Sequence, residues 1–260
     1  MVGSRWGVGA GRDHSALSPP TAAAAIVVCL MAAAGGCTSE GTRPPARTPQ
    51  TISRGTTALD ESDSATSSHR ETVLIEGTSL TAGLGLDPDQ AYPALLQRKI
   101  DSAGLPFRVV NAGLSGETSA GALRRISWLL RQPVGVFVLE TGANDGLRAL
   151  DVDSTKAHVA AVIDSVRRAD PRAAICLVQM EAPPNLGPRY TGAFHNLYPA
   201  VARAEGATLV PFLLRGVAGD PALIQADGLH PNVQGERLVA ATVWSALAPV
   251  LEARAAAAHR

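Results

Sequence analysis

The chain has 260 residues, with 23 Lys+Arg against 23 Asp+Glu and so a formal net charge of zero. That balance leaves no basic footprint for nucleic acid. Of the three cysteines, Cys29, Cys37 and Cys176, only Cys176 falls where a folded domain is expected, which excludes a disulfide framework and leaves stability to packing.

Arg5 and Arg12 precede an apolar run over residues 21–34, which ends at Gly35-Gly36-Cys37. A basic start, a short apolar core and small residues before a cut site describe a secretory signal. The run is too short for a comfortable membrane span, which needs about 20 residues. A cysteine directly after the small residues fits a lipoprotein signal in which Cys37 becomes the lipidated N-terminus, although Ala34 stands where such signals usually carry Leu. A plain cleaved signal or an uncleaved anchor is the other reading. From 38 to 71 the chain is rich in Ser, Thr, Pro, Arg and Asp, and Ile52 and Leu59 are its only large aliphatics. Such a stretch cannot bury enough apolar surface to offset its ordering entropy. The expected organisation is a signal at 1–36, a disordered tether at 37–71, a folded domain at 72–254 and a disordered tail at 255–260. The protein is then exported and held at a membrane by its N-terminal lipid, on the periplasmic or cell-surface side.

Within the domain, residues 72–75, 107–110, 136–139, 173–178 and 208–212 are short apolar runs that read as buried strands. Continuous apolarity rather than alternation indicates strands covered on both faces, as in a parallel sheet. Helical patterns lie between them. Asp87-Pro88-Asp89-Gln90 has the makings of a helix start, followed by Tyr92, Leu95, Leu96 and Ile100 at helical spacing. Leu123, Ile126 and Leu130 mark a second helix, and Val159, Val162, Ile163 and Val166 a third. Phe194, Leu197, Tyr198 and Val201 mark a fourth, and Val239, Val243, Leu247 and Val250 a last. Five strands alternating with helices predict an α/β protein, a three-layer α/β/α sandwich around a five-stranded parallel sheet. Right-handed crossovers place the strand C-terminal ends on one edge, where active sites of such sheets form.

Four polar, glycine-bearing segments fall at that edge: Glu76-Gly77-Thr78-Ser79-Leu80, residues 111–118, residues 141–146, and Asp227-Gly228-Leu229-His230-Pro231-Asn232. Ester hydrolysis needs a nucleophile, a base, a group that orients the base, and donors for the oxyanion. Ser79 stands where a strand ends and a helix begins, which suits a nucleophile and equally a helix N-cap. An imidazole, with an ordinary pKa of ~6.5, suits a base near neutrality. Asp227, three residues before His230, is close enough to fix its tautomer; the plainer reading is a turn structured by Asp227 and Asn232. A metal site is disfavoured, because no further His or Cys accompanies these two at ligand spacing. Gly116 has a plain reading as a turn needing positive φ, and Asn144-Asp145-Gly146 as an ordinary turn.

Taken together, the four segments resemble in order and spacing the sequence blocks of the SGNH (GDSL-type) hydrolases, over residues 72–251. Asn144-Asp145-Gly146-Leu147-Arg148, Pro183-Pro184-Asn185 and Arg189-Tyr190 are similar to the bacterial arylesterase, thioesterase and lysophospholipase subgroup. The resemblance implies a flavodoxin-like SGNH fold and a serine esterase without a cofactor. It implies Ser79, Asp227 and His230 as the triad, and the Ser79 N–H, Gly116 and Asn144 as the oxyanion hole. The substrates implied are carboxylic esters with short acyl or aryl groups, with lysophospholipids and acyl thioesters as further possibilities.

The chain departs from the family at Thr78, where the motif usually carries Asp; Thr78 keeps a hydroxyl for bonding the loop and loses the charge. Glu76 and Glu181 are expected near the acyl pocket, which leans the substrate toward short acyl or aryl esters. A weakened module that binds or deacetylates acylated polysaccharide is the alternative function. A nucleotide site is remote, because neither Gly-Lys-Ser/Thr nor GxGxxG follows the first strand. His158, His195, Trp128 and Trp244 read as surface or packing residues, and Cys176 as a small hydrophobe.

Overall fold

The computed structural model describes residues 70–258. The expected signal, Cys37 and the expected tether up to residue 69 lie outside the described residues. The five apolar runs form one parallel sheet from β1 (Glu71–Gly77), β2 (Phe107–Gly113), β3 (Val136–Leu139), β4 (Ala174–Val178) and β5 (Thr208–Val210), in spatial order β2-β1-β3-β4-β5. All four residues of β3 are buried, as expected of a central strand covered on both faces. In register, Ile75 of β1 faces Asn111 on one side and Val138 on the other.

The helices are α1 (Ser79–Ala82), α2 (Tyr92–Ser102), α3 (Ser119–Leu129), α4 (Ala143–Leu147), α5 (Val152–Ala169), α6 (Gly187–Ala204) and α7 (Val233–Ala258). One outer layer has α2 packed on α7; the other runs α3 on α5 on α6. Right-handed crossovers produce this split, because the chain leaves β1 in one direction to β2 and then passes β1 to add β3, β4 and β5 in the other. The reversal lies between β1 and β3, and the crevice at that point is where such sheets bind ligands. The helical stripes are buried as their spacing predicts, with Val159, Val162, Ile163 and Val166 of α5 and Phe194, Leu197, Tyr198 and Val201 of α6 all in the core.

Several boundaries differ from expectation. Asp87 to Gln90 is not a helix start but a turn, closed by the Gln90 N–H on the Asp87 carbonyl at 2.9 Å. Helix α2 begins at Tyr92, and its N-cap Ala91 makes no side-chain cap bond. Instead the buried Glu236 of α7 accepts the Tyr92 N–H at 2.6 Å, so the cap comes from 144 residues away. β1 starts one residue before the expected domain boundary because Glu71 is tied in, its N–H to the Pro106 carbonyl and its carboxylate to Arg254. β5 stops at Val210, before Pro211, which has no N–H for the ladder. α7 continues through Ala258, so the expected disordered tail is helical over 255–258; the alanine run there has the highest helix propensity. Trp128 is 61% exposed rather than packed, being two residues past the buried Ile126 and so on the far side of α3. Trp244 is half-buried against the core, with Lys99 Nζ 5.9 Å from its ring.

Candidate active site

β1 ends at Gly77, where an added Cβ would overlap the Thr81 side chain, so the chain can turn tightly into α1 only with glycine there. Thr78 is the N-cap of α1, with extended backbone and a side chain that accepts from the Leu80 N–H. Ser79 is therefore the first residue of α1 and not its cap. Its Oγ lies 2.8 Å from Nε2 of His230, and His230 Nδ1 lies 2.6 Å from Oδ2 of Asp227. Asp227 Oδ1 accepts the N–H groups of Leu229 at 2.9 Å and His230 at 3.1 Å. Those backbone bonds, Leu229 first, together with the imidazole, hold the Asp227 carboxyl down at about 2, although its side chain is 45% exposed. The structure thus brings Ser79, His230 and Asp227 into one hydrogen-bonded line.

The loop carrying His230 is fixed from both ends. Gln225 donates from Nε2 to the Leu84 carbonyl at 2.8 Å and to the Pro231 carbonyl at 2.9 Å, tying this loop to the one that follows α1. Asn232 Oδ1 accepts the N–H groups of Gln234 and Gly235 and so caps α7.

Gly116 has φ +79, and a Cβ built on it would meet nothing within 4 Å, so its backbone faces open space. Asn144 sits in α4, directly after β3, and donates from Nδ2 to the Glu117 carbonyl at 2.9 Å. The N–H groups of Ser79 and Gly116 are engaged by no other group among the described residues. Ser79, Gly116, Asn144 and His230 all line one cleft of about 580 Å³. Its remaining wall is mainly apolar, and Leu84, Leu147 and Leu229 stand about half exposed at its rim.

Glu181 lines this cleft as expected, with Oε1 2.7 Å from both Gln179 Nε2 and His195 Nδ1. Glu76 does not. β1 runs two residues further than its apolar core suggests, so Glu76 is inside the strand and fully buried. Its nearest cation is Arg125, at 3.8 Å, and burial pushes its carboxyl up to about 8.

Glu140, at the end of β3, was not singled out by its sequence context. It is fully buried and accepts the Thr78 N–H at 2.7 Å, the Thr81 hydroxyl at 2.9 Å and the Thr78 hydroxyl at 3.0 Å. Thr78 thus uses its hydroxyl to bond the turn before Ser79 to the residue that follows β3. Burial raises Glu140 to about 7 against the pull of those bonds. Thr81 in turn meets the Tyr92 hydroxyl at 2.7 Å. Asp145 carries a role that neither its turn nor its family-like segment assigns: its carboxylate accepts the Ser119 N–H and hydroxyl and anchors α4 to α3. His158 Nδ1 is 3.1 Å from the same Ser119 hydroxyl, at the boundary between core and surface. His195 is on the surface, and burial of Cys176 pushes its thiol up to about 12.

Residues 77–238 match the GDSL-like Lipase/Acylhydrolase family. The chain belongs to that family, the SGNH hydrolases. It is 41% identical to the esterase TesA of Pseudomonas aeruginosa over 182 residues, covering 70% of this chain and 90% of that one. It is 34% identical to an arylesterase of Vibrio mimicus, over 68% of this chain and 88% of that one. Among solved structures, the psychrotrophic esterase EstA of Pseudoalteromonas sp., inhibited by monoethylphosphonate, superposes with a TM-score of 0.66 at 34% identity, covering 70% of this chain and 99% of that one. The protein is a hydrolase acting on ester bonds.

Proposed function

We propose that the protein hydrolyses carboxylic esters through an acyl-enzyme, with Ser79 as nucleophile, His230 as general base and acid, and Asp227 orienting the imidazole. The observation that carries this reading is the line Ser79 Oγ–His230 Nε2–Asp227 Oδ2, at 2.8 and 2.6 Å, opening on the cleft. Ser79 Oγ attacks the ester carbonyl while His230 Nε2 takes its proton. Asp227, ionised at any working pH, accepts from Nδ1 and stabilises the imidazolium. The oxyanion is met by the N–H groups of Ser79 and Gly116 and by the Asn144 amide, each such donor being worth on the order of 10²–10³ in turnover. His230 then protonates the leaving alcohol, and the acyl group stays on Ser79. A water deprotonated by His230 attacks the acyl-serine and releases the acid.

An apolar cleft with a rim of half-exposed leucines suits an apolar acyl or aryl group, and among the described residues Glu181 is the one acid that lines it. Glu76 is buried away from the cleft and so does not bear on acyl-chain length. Lysophospholipids and acyl thioesters remain within this substrate class. The residues before 70 are read as a lipoprotein signal, a lipidated Cys37 and a tether, which would hold the domain at a membrane on its periplasmic or cell-surface side.

Turnover of a chromogenic short-chain ester tests this reading. Ser79→Ala and His230→Ala should each remove nearly all activity with circular dichroism unchanged, and the double variant should be scarcely worse than either. Full activity in Ser79→Ala would overturn it.

A further inference from the structure

The loop that carries Gly116 is held by Arg125 from α3, and at the Gly116 carbonyl itself by Arg148 Nη2 at 3.2 Å. Arg125, on α3, donates from Nε to Glu117 Oε1 at 2.7 Å and from Nη2 to Glu117 Oε2 at 2.6 Å, a two-bond fork on the residue next to Gly116. The same Nη2 donates to the Ala112 carbonyl at 2.7 Å and reaches the Gly77 carbonyl at 3.5 Å. Gly77 and Ala112 lie at the C-terminal ends of neighbouring strands, and the Gly77 carbonyl also accepts the Leu114 N–H at 2.8 Å. One guanidinium therefore joins the end of β1, two residues before Ser79, to the end of β2 and to the loop beyond it.

The main chain of Glu117 completes the connection, because its carbonyl accepts Asn144 Nδ2. A side-chain amide nitrogen carries two hydrogens. With one committed to Glu117, the amide plane is fixed and the other is left for the cleft that Asn144 lines. The pair is shielded from solvent, with the Glu117 side chain 4% and the Arg125 side chain 21% exposed. Glu76 stands nearby without a hydrogen-bond partner among the described residues, and its raised carboxyl is mostly neutral at pH 7. The full charge of Arg125 is then matched by Glu117.

We propose that Arg125 and Glu117 are a positioning pair for the oxyanion hole: touching no substrate, they set the aim of the Gly116 N–H and the Asn144 amide. This rests on reading Gly116 and Asn144 as the oxyanion donors. The planar fork is what the position requires, since a lysine keeps the charge but cannot hold Glu117 by two bonds and Ala112 by a third.

Steady-state kinetics on a chromogenic ester, for Arg125→Lys and Glu117→Gln alone and each combined with Asn144→Ala, test the pair. Glu117→Gln keeps size and an acceptor, so it stands as the check if Arg125→Lys folds poorly. Each should lower kcat roughly 10- to 100-fold, the scale of a donor displaced by a fraction of an ångström to 1 Å. KM should stay within about twofold, because the lost interaction forms only in the transition state. In the Asn144→Ala background the further loss should shrink to a few-fold, since the pair acts partly through that amide. Wild-type kcat in both single variants, or a full multiplicative loss in the Asn144→Ala background, would overturn the pair while leaving the oxyanion reading intact. Wild-type turnover in Asn144→Ala itself would overturn the oxyanion reading and the pair with it.

Discussion

Asp227 combines two features that rarely coincide, wide exposure and a strongly depressed carboxyl. Two backbone N–H groups and the imidazole all stabilise its charged form, and its value of about 2 lies below the 3.8 of a free side chain. A depressed carboxyl contributes stability above its unfolded value and loses it as pH falls through the folded one. The loop around His230 should therefore keep its order down to about pH 2 to 4, and acid should not cost activity through Asp227 above that window. Asp227→Asn removes the charge and favours the wrong tautomer; turnover should fall by about 10⁴, as for comparable triads, with the fold retained. Near-normal turnover in that variant would detach Asp227 from the chemistry. That Ser79, His230 and Asp227 come together was legible in the order of the four loop segments and their resemblance to the family's blocks, because each residue alone reads equally well as a cap or a turn. Glu140 and Gln225 were not legible, because each bonds a segment far away in the chain, and Arg125 was not, because nothing beside it marks Glu117, eight residues before it, as its partner.

The elements read best where local pattern and tertiary environment agree. β3 occupies the residues its apolar run predicts, because a central strand is buried on both faces and its composition says so. α2 reads worst at its start. Asp87-Pro88-Asp89-Gln90 has good local capping chemistry, yet the helix begins later because Glu236 of α7 supplies the acceptor for the Tyr92 N–H. Glu236→Ala should leave that N–H buried and unpaired, at a cost of about 1–3 kcal/mol. Chemical denaturation should register it as a lower midpoint at unchanged slope. A variant as stable as the parent would mean that α2 finds its cap elsewhere.

At the scale of the molecule, the α/β/α layering was legible because strands and helices alternate, while the strand order came with the family resemblance, since right-handed crossovers alone leave a handful of orders. The burial of three acids was not. Glu76 and Glu236 are raised to about 8 and Glu140 to about 7, desolvation being the largest cause in each. A raised carboxyl binds its proton more tightly in the folded chain, so its folded state is favoured at low pH and loses ground as pH rises from the unfolded value of 4.5 toward the folded one. The melting temperature should therefore fall between pH 5 and pH 9. Glu76→Gln, which replaces a carboxyl lacking any hydrogen bond with a neutral isostere, should flatten that fall. A melting temperature that rises over this range would contradict the assignment of these acids as buried.

The Ser79 hydroxyl, proposed as the nucleophile, can be interrogated directly. EstA, similar to this chain over most of its domain, was solved inhibited by monoethylphosphonate. Treating the protein with an organophosphonate and mapping the adduct by mass spectrometry asks whether Ser79 is an activated nucleophile, since an ordinary serine does not react with such electrophiles. The account predicts a single adduct on Ser79, absent in Ser79→Ala and formed far more slowly in His230→Ala. No adduct, or one on another residue with Ser79 unmodified, would contradict it.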